Sequence, residues 1–237
     1  MIEGNVSKSS GCATVIMVHG AWADGSSWNQ VIAPLQAGSL DVIAAPLPLT
    51  SLSEDVTALE HAIERTQGPV VLAAHAYAGA VISATRNERV KSLVYVSALA
   101  PDEGETVADV FYREPPHPEA PQLVPDEHGL IWMPADGFAS AFAQHASPKQ
   151  NALFAATQRP IAVACIQEGV QRPAWKEKPS WFLIAEEDRM INPATQQFMA
   201  ERMGAKIHSE KVDHMPLVTA PELVVEIILE AMGPARP

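Results

Sequence analysis

Four short segments hold residue types whose spacing points to work on a polarised bond. His19, Gly20, Ala21 and Trp22 follow the apolar run 14–18. A glycine directly after a strand lets the backbone turn sharply and leaves a following N–H free to face an anion. The run 70–74 leads into His75, Ala76, Tyr77, Ala78 and Gly79, with small residues two before and two after Ala76. That spacing is the steric requirement of a strained strand-to-helix turn that lifts one side chain over the edge of a sheet. The lifted residue here is alanine, and the segment alone reads equally well as a plain strand-to-helix turn. Asp188 and His214 follow two later apolar runs. A carboxylate that orients an imidazole, and an imidazole that moves a proton, are the working parts of general acid–base chemistry.

The elements that must position these residues are legible as runs without polar alternation: 14–18, 42–45, 70–74, 92–96, 181–184 and 206–211. Such runs, separated by helical patterns, predict an α/β fold of about six mostly parallel strands covered on both faces. Ser53 and Glu54 open one helix, Asn192 caps another with Pro193 at its first position, and Pro221 begins the last. An acid and a histidine at successive strand ends both fall at the carboxyl edge of the sheet, where ligand sites of such sheets lie.

Residues 101–175 break the alternation. Half of the 20 prolines fall there, with aromatics and short helical pieces such as 137–144. The organisation expected is a core of 1–100 and 176–237 with a helical cap, 101–175, inserted after the fourth strand. A separate second domain is the weaker reading, because so short a proline-rich stretch makes a thin core of its own.

The chain has 237 residues, 47% of them apolar, a net charge of −12 and no basic cluster. That balance argues against nucleic acid and anionic membrane as partners. Cys12 and Cys165 stand far apart in no paired spacing, which suggests neither a zinc site nor a disulfide framework. The first ten residues lack an apolar stretch of leader length, and no window reaches the roughly 18 apolar residues of a membrane helix. A cytoplasmic, soluble protein is expected. His61 shares a helix with Glu60 and Glu64, while His117, His128 and His145 fall in the cap without a metal-binding pattern. No cofactor is implied.

The segments HGAWADGSSW, AHAYAGAVI, KSLVYVSALAPDEGE, PSWFLIAEEDRMINP with QQFMAERMGA, and the closing DHMP together resemble the α/β-hydrolases. The similarity is to small bacterial esterases in the branch that includes hydroxynitrile lyases and plant methylesterases. It runs from Val15 to about Ala231 and keeps the superfamily's chain order of nucleophile, acid and histidine. It implies Ala76 at the nucleophile position, Asp188 as the orienting acid, His214 as the general base, and the N–H groups of Ala21 and Tyr77 as the oxyanion hole. Glu186 and Glu187 compete for the acid's role, and the family's E-D-R pattern puts that role on Asp188. Gly20 and Met215 match the esterases of the branch rather than the lyases, which carry Thr and Lys at those positions. The family's usual elbow is GHSxGG, so the departure at Ala76 is the largest one.

Three explanations of Ala76 follow. The chain is a carboxylic ester hydrolase of the Ser-His-Asp type in nucleophile-inactivated form, acting on small, partly apolar esters. Otherwise it uses His214 and Asp188 alone as a base, as a cofactor-free lyase or oxygenase, or it is a non-catalytic binder of small molecules. Gly20, Tyr112, Trp132, Phe138 and Met215 are candidate substrate-binding residues, the aromatics being equally suited to the core of the cap. His75 is expected to point away from Ala76 into the fold. The partner expected is a small-molecule ester, and a homodimer is left open.

Overall fold

The computed structural model describes residues 13–233. Cys12 and the segment read for a leader lie outside the described residues. Six strands form one sheet: β1 (Thr14–Val18), β2 (Asp41–Ala45), β3 (Val70–His75), β4 (Val90–Val96), β7 (Ser180–Ala185) and β8 (Lys206–Glu210), in the order β2-β1-β3-β4-β7-β8. All five pairings are parallel. The apolar runs set this outcome, because β1 and β3 are buried along their whole length and need cover on both faces. That cover comes from α1 (Asn29–Ala37), α2 (Leu52–Glu64), α3 (Ala78–Ala84), α7 (Pro193–Arg202), α8 (Pro216–Thr219) and α9 (Pro221–Met232).

Helix starts follow local chemistry. Ser51 caps α2 by accepting from the N–H of Glu54, two residues earlier than the sequence-based start. Asn192 caps α7 with Pro193 at its first position. Each side-chain oxygen takes up an N–H that the helix itself cannot satisfy.

Between β4 and β7 the chain builds α4 (Val107–Phe111), β5 (Leu130–Ile131), α5 (Pro148–Thr157), β6 (Ile161–Ala162) and α6 (Val163–Gln167), with a π-helical turn at Phe138–Phe142. Strands β5 and β6 pair antiparallel. Val107, Val110, Ile131, Phe138 and Phe142 join the same apolar cluster as the sheet. Side chains of the segment between β4 and β7 therefore pack in one apolar cluster with those of the sheet.

The strand order reverses at β1, with β2 on one side and β3 on the other. Such a switch point leaves a crevice beyond the carboxyl ends of the two strands, because the following connections diverge to opposite faces. The loop after β1 carries Gly20 and Ala21, and the turn after β3 carries Ala76 and Tyr77. None of the helices among the described residues is long and apolar enough to cross a membrane.

Candidate active site

Ala76 sits at the top of β3 with φ 52°, in the left-handed region. A non-glycine residue there costs about 1–2 kcal/mol relative to ordinary backbone. Its carbonyl accepts from the N–H groups of Gly79 and Leu99, and its own N–H reaches Val96 O at 3.4 Å, so the strained turn is held from three sides. Two neighbouring glycines make the turn feasible. A Cβ on Gly79 would lie 2.3 Å from Leu99 O, and one on Gly20 would lie 2.9 Å from Ala76 Cβ. The backbone is thus packed against itself where the elbow bends, and only a residue without a side chain fits at either point.

His214 Nδ1 lies 2.8 Å from Asp188 Oδ2, and both side chains are buried. A carboxylate only accepts, so Nδ1 carries the hydrogen, which in the neutral ring leaves the lone pair on Nε2. Asp188 is held by three further donors: Oδ1 accepts from the N–H groups of Met190 at 2.7 Å and Ile191 at 2.9 Å, and Oδ2 accepts from Gln196 Nε2 at 2.8 Å. Gln196 is fixed in turn, since its Oε1 accepts from Ala185 N–H and its Nε2 also reaches Ile191 O. The neighbouring carboxylates do not compete for His214. Glu186 accepts from Ser209 and Glu187 pairs with His145, both at exposed positions.

His75 is fully buried and stands beside the dyad with its ring centroid 4.7 Å from that of His214. Its Nε2 donates to the carbonyl oxygen of His214 at 2.7 Å, since a carbonyl can only accept. Burial, reinforced by the adjacent His214 imidazole, holds the His75 pKa well below the ordinary range, so the ring stays neutral. Its role is to hold the backbone of the loop that bears His214. Phe142, on the π-helical turn, closes the other side: its ring centroid is 5.3 Å from His214 and 6.4 Å from His75. Burial likewise lowers the pKa of His19, whose Nε2 accepts from Leu47 N–H.

Two backbone donors are left over. Trp22 N–H bonds Arg159 O, while among the described residues neither Ala21 N–H nor Tyr77 N–H has a hydrogen-bond acceptor. Both residues line one cavity together with Ala76 and His214. A pair of free N–H groups on adjacent loops beside a histidine base is what a developing oxyanion needs.

Apart from His214 and the two free N–H groups the walls of the cavity are largely apolar: Leu99, Val107, Phe111, Tyr112, Ile161 and Ile166 form much of them. Of the residues singled out for substrate binding, Tyr112 lines it, whereas Gly20 does not, although a Cβ there would meet that of Ala76. The other three also lie off its wall. Trp132 is 46% exposed with its indole N–H on Asp126, outside the cavity. Phe138 is buried among Phe142 and Phe154. Met215 is fully buried and does not reach the cavity wall. Phe111, Ile161 and Ile166 were missed because an apolar residue in an irregular segment gives no sign of which way it faces.

A sheet of this topology, with a strained turn after β3 and an acid–histidine pair after β7 and β8, defines an α/β protein built around a hydrolase-type crevice. The model of the alpha/beta hydrolase family matches residues 15–227, and the chain belongs to that family. It is 25% identical over 244 aligned positions to alpha/beta hydrolase nvfD of Aspergillus novofumigatus, covering 93% of this chain and 97% of that one. Among solved structures it is similar to polyneuridine aldehyde esterase, with TM-score 0.78, 17% identity and coverage of 92% and 98% of the two chains. A methylesterase from Arabidopsis gives TM-score 0.76 at 14% identity, with the same coverage. At these identities the solved structures speak to the fold.

Proposed function

We propose that the crevice is the site of a carboxylic ester hydrolase of the Ser-His-Asp type carried in a nucleophile-free form. The observation that supports this most is the left-handed backbone of Ala76 beside the His214–Asp188 pair. An alanine gains nothing from such strain, whereas a nucleophile needs it to stand clear of the sheet. With serine at position 76, Oγ would attack the ester carbon as His214 Nε2 takes its proton. Asp188 would hold the imidazole in the required tautomer, and the N–H groups of Ala21 and Tyr77 would receive the oxyanion. The proton then passes to the leaving alkoxide, and a water activated by His214 releases the acid. The apolar walls suit small, partly apolar esters, in keeping with the esterases among the structural neighbours. The protein as it stands binds such an ester and turns it over slowly. The test is Ala76→Ser with p-nitrophenyl butyrate: hydrolysis is expected to rise by at least about 10³-fold, and an unchanged rate contradicts the reading.

A second reading rests on the completeness of the dyad. His214 lines the cavity with Nδ1 held by Asp188, whose other oxygen sites are satisfied, so a neutral His214 can take a proton at Nε2 from an acidic C–H or O–H without any nucleophile. This reading expects a reaction of the unaltered chain that His214→Ala abolishes and Ala76→Ser does not raise. Absence of any such reaction across activated carbon acids removes it.

A further inference from the structure

Asp55, on α2, is fully buried, and no Lys, Arg or His lies within ion-pair distance of it among the described residues. A buried carboxylate without a cation is costly, and an apolar side chain would pack there at less expense. Its partners give the reason for its presence. Oδ2 accepts from the Tyr77 hydroxyl at 2.7 Å, Oδ1 accepts from the N–H of Leu49 at 2.7 Å, and the Cys165 thiol lies 3.7 Å from Oδ2. Leu49 has φ 61°, and its carbonyl accepts from Ala162 N–H in β6. One carboxylate therefore joins the residue after the elbow, the loop after β2, and the cap at β6 and α6. Tyr77, Ile161 and Ile166, carried by these segments, all line the cavity.

We propose that Asp55 is a positioning residue: through the Tyr77 hydroxyl it fixes the direction of the Tyr77 N–H, and through Leu49 and Cys165 it locks the cap wall to the elbow. The first half rests on the ester-hydrolase reading, in which that N–H receives the oxyanion. The peptide group between Ala76 and Tyr77 follows a strained residue, and the Tyr77 ring is the lever that sets its plane. Misplacing a catalytic donor by about 1 Å costs up to about 100-fold in rate.

The test has two arms. In the chain without other changes, Asp55→Asn and Tyr77→Phe are compared with the parent by amide relaxation dispersion. Flat profiles are expected in the parent, with millisecond exchange at Tyr77 and at 161–166 in Asp55→Asn, and at Tyr77 in Tyr77→Phe, which removes a single hydroxyl. Flat profiles in both variants overturn the proposal. In the Ala76→Ser background, each substitution is expected to lower kcat by about tenfold or more with KM within about twofold, and the double variant to match the worse single one. Losses carried by KM, or effects that multiply, overturn it. If Ala76→Ser yields no hydrolysis, the ester-hydrolase reading fails by itself, and the dispersion arm still decides whether Asp55 holds elbow and cap together.

Discussion

Replacing Asp188 by asparagine exchanges one oxygen for an amide nitrogen in a place where every lone pair is in use. Oδ1 of the new side chain can keep the N–H groups of Met190 and Ile191. The NH₂ group then faces two donors, Gln196 Nε2 and His214 Nδ1. Gln196 cannot turn over without giving up its bonds to Ala185 and Ile191. His214 escapes by moving its hydrogen to Nε2, which removes the lone pair that makes it a base. An unpaired buried donor costs about 1–3 kcal/mol. For a chain of this size that is a fall of roughly 2–12 °C in Tm. Urea unfolding followed by circular dichroism measures it. A loss below about 1 kcal/mol would mean that the acid is not locked by four donors. In the Ala76→Ser background the same substitution is expected to cost about 10⁴-fold in kcat, the size of effect that a wrong histidine tautomer has in serine proteases.

Other outcomes follow from the packing and from burial. Gly79→Ala drives a Cβ into Leu99 O, so a loss of at least about 1–3 kcal/mol is expected, and native stability in urea contradicts the close contact. Ala76→Gly relieves the left-handed strain and is expected to be neutral or stabilising by up to about 1 kcal/mol, the reverse of the usual penalty for glycine; a loss of that size means the turn is unstrained. Burial raises the Asp55 pKa, so its contribution to stability is full below its unfolded value of about 3.9 and is lost as pH rises through the folded value. The unfolding free energy of the parent relative to Asp55→Asn is therefore expected to fall as pH rises above the ordinary carboxylate range; a difference that grows with pH reverses the sign. Phe142→Ala opens a void against the ring of His214 and is expected to cost about 3–5 kcal/mol in urea unfolding; a cost under about 1 kcal/mol means that the ring is not packed there.

The sheet was readable because β1, β3, β4 and β7 are buried on both faces and leave unbroken apolar runs, and because a parallel sheet requires helices between them. Ala76 stands out because it directly follows such a run, and Asp188 because it comes three residues after one; His214 follows β8, a polar, largely exposed edge strand, and stands out by the chain order alone. What escaped reading depends on side chains that meet across long separations. Asp55 and Tyr77 are 22 residues apart and Asp55 and Cys165 are 110 apart, and nothing in either neighbourhood marks a buried carboxylate. Gln196 looks like any polar residue in the first turns of a helix, yet it faces inward to Asp188. In the cap, prolines and short helices erase the periodicity that would say which aromatics face the cavity, so Trp132 and Phe138 could not be told from Phe111 and Tyr112.

Whether the strained turn at Ala76 is a nucleophile's seat is decided by a stopped-flow and mass-spectrometric comparison of Ala76→Ser with the unaltered chain on p-nitrophenyl butyrate. A stoichiometric burst of p-nitrophenol is expected, with an acyl group on the peptide carrying residue 76, and both are lost when His214→Ala is added. Hydrolysis by Ala76→Ser no faster than by the unaltered chain, with no acyl adduct, means that the turn seats no nucleophile.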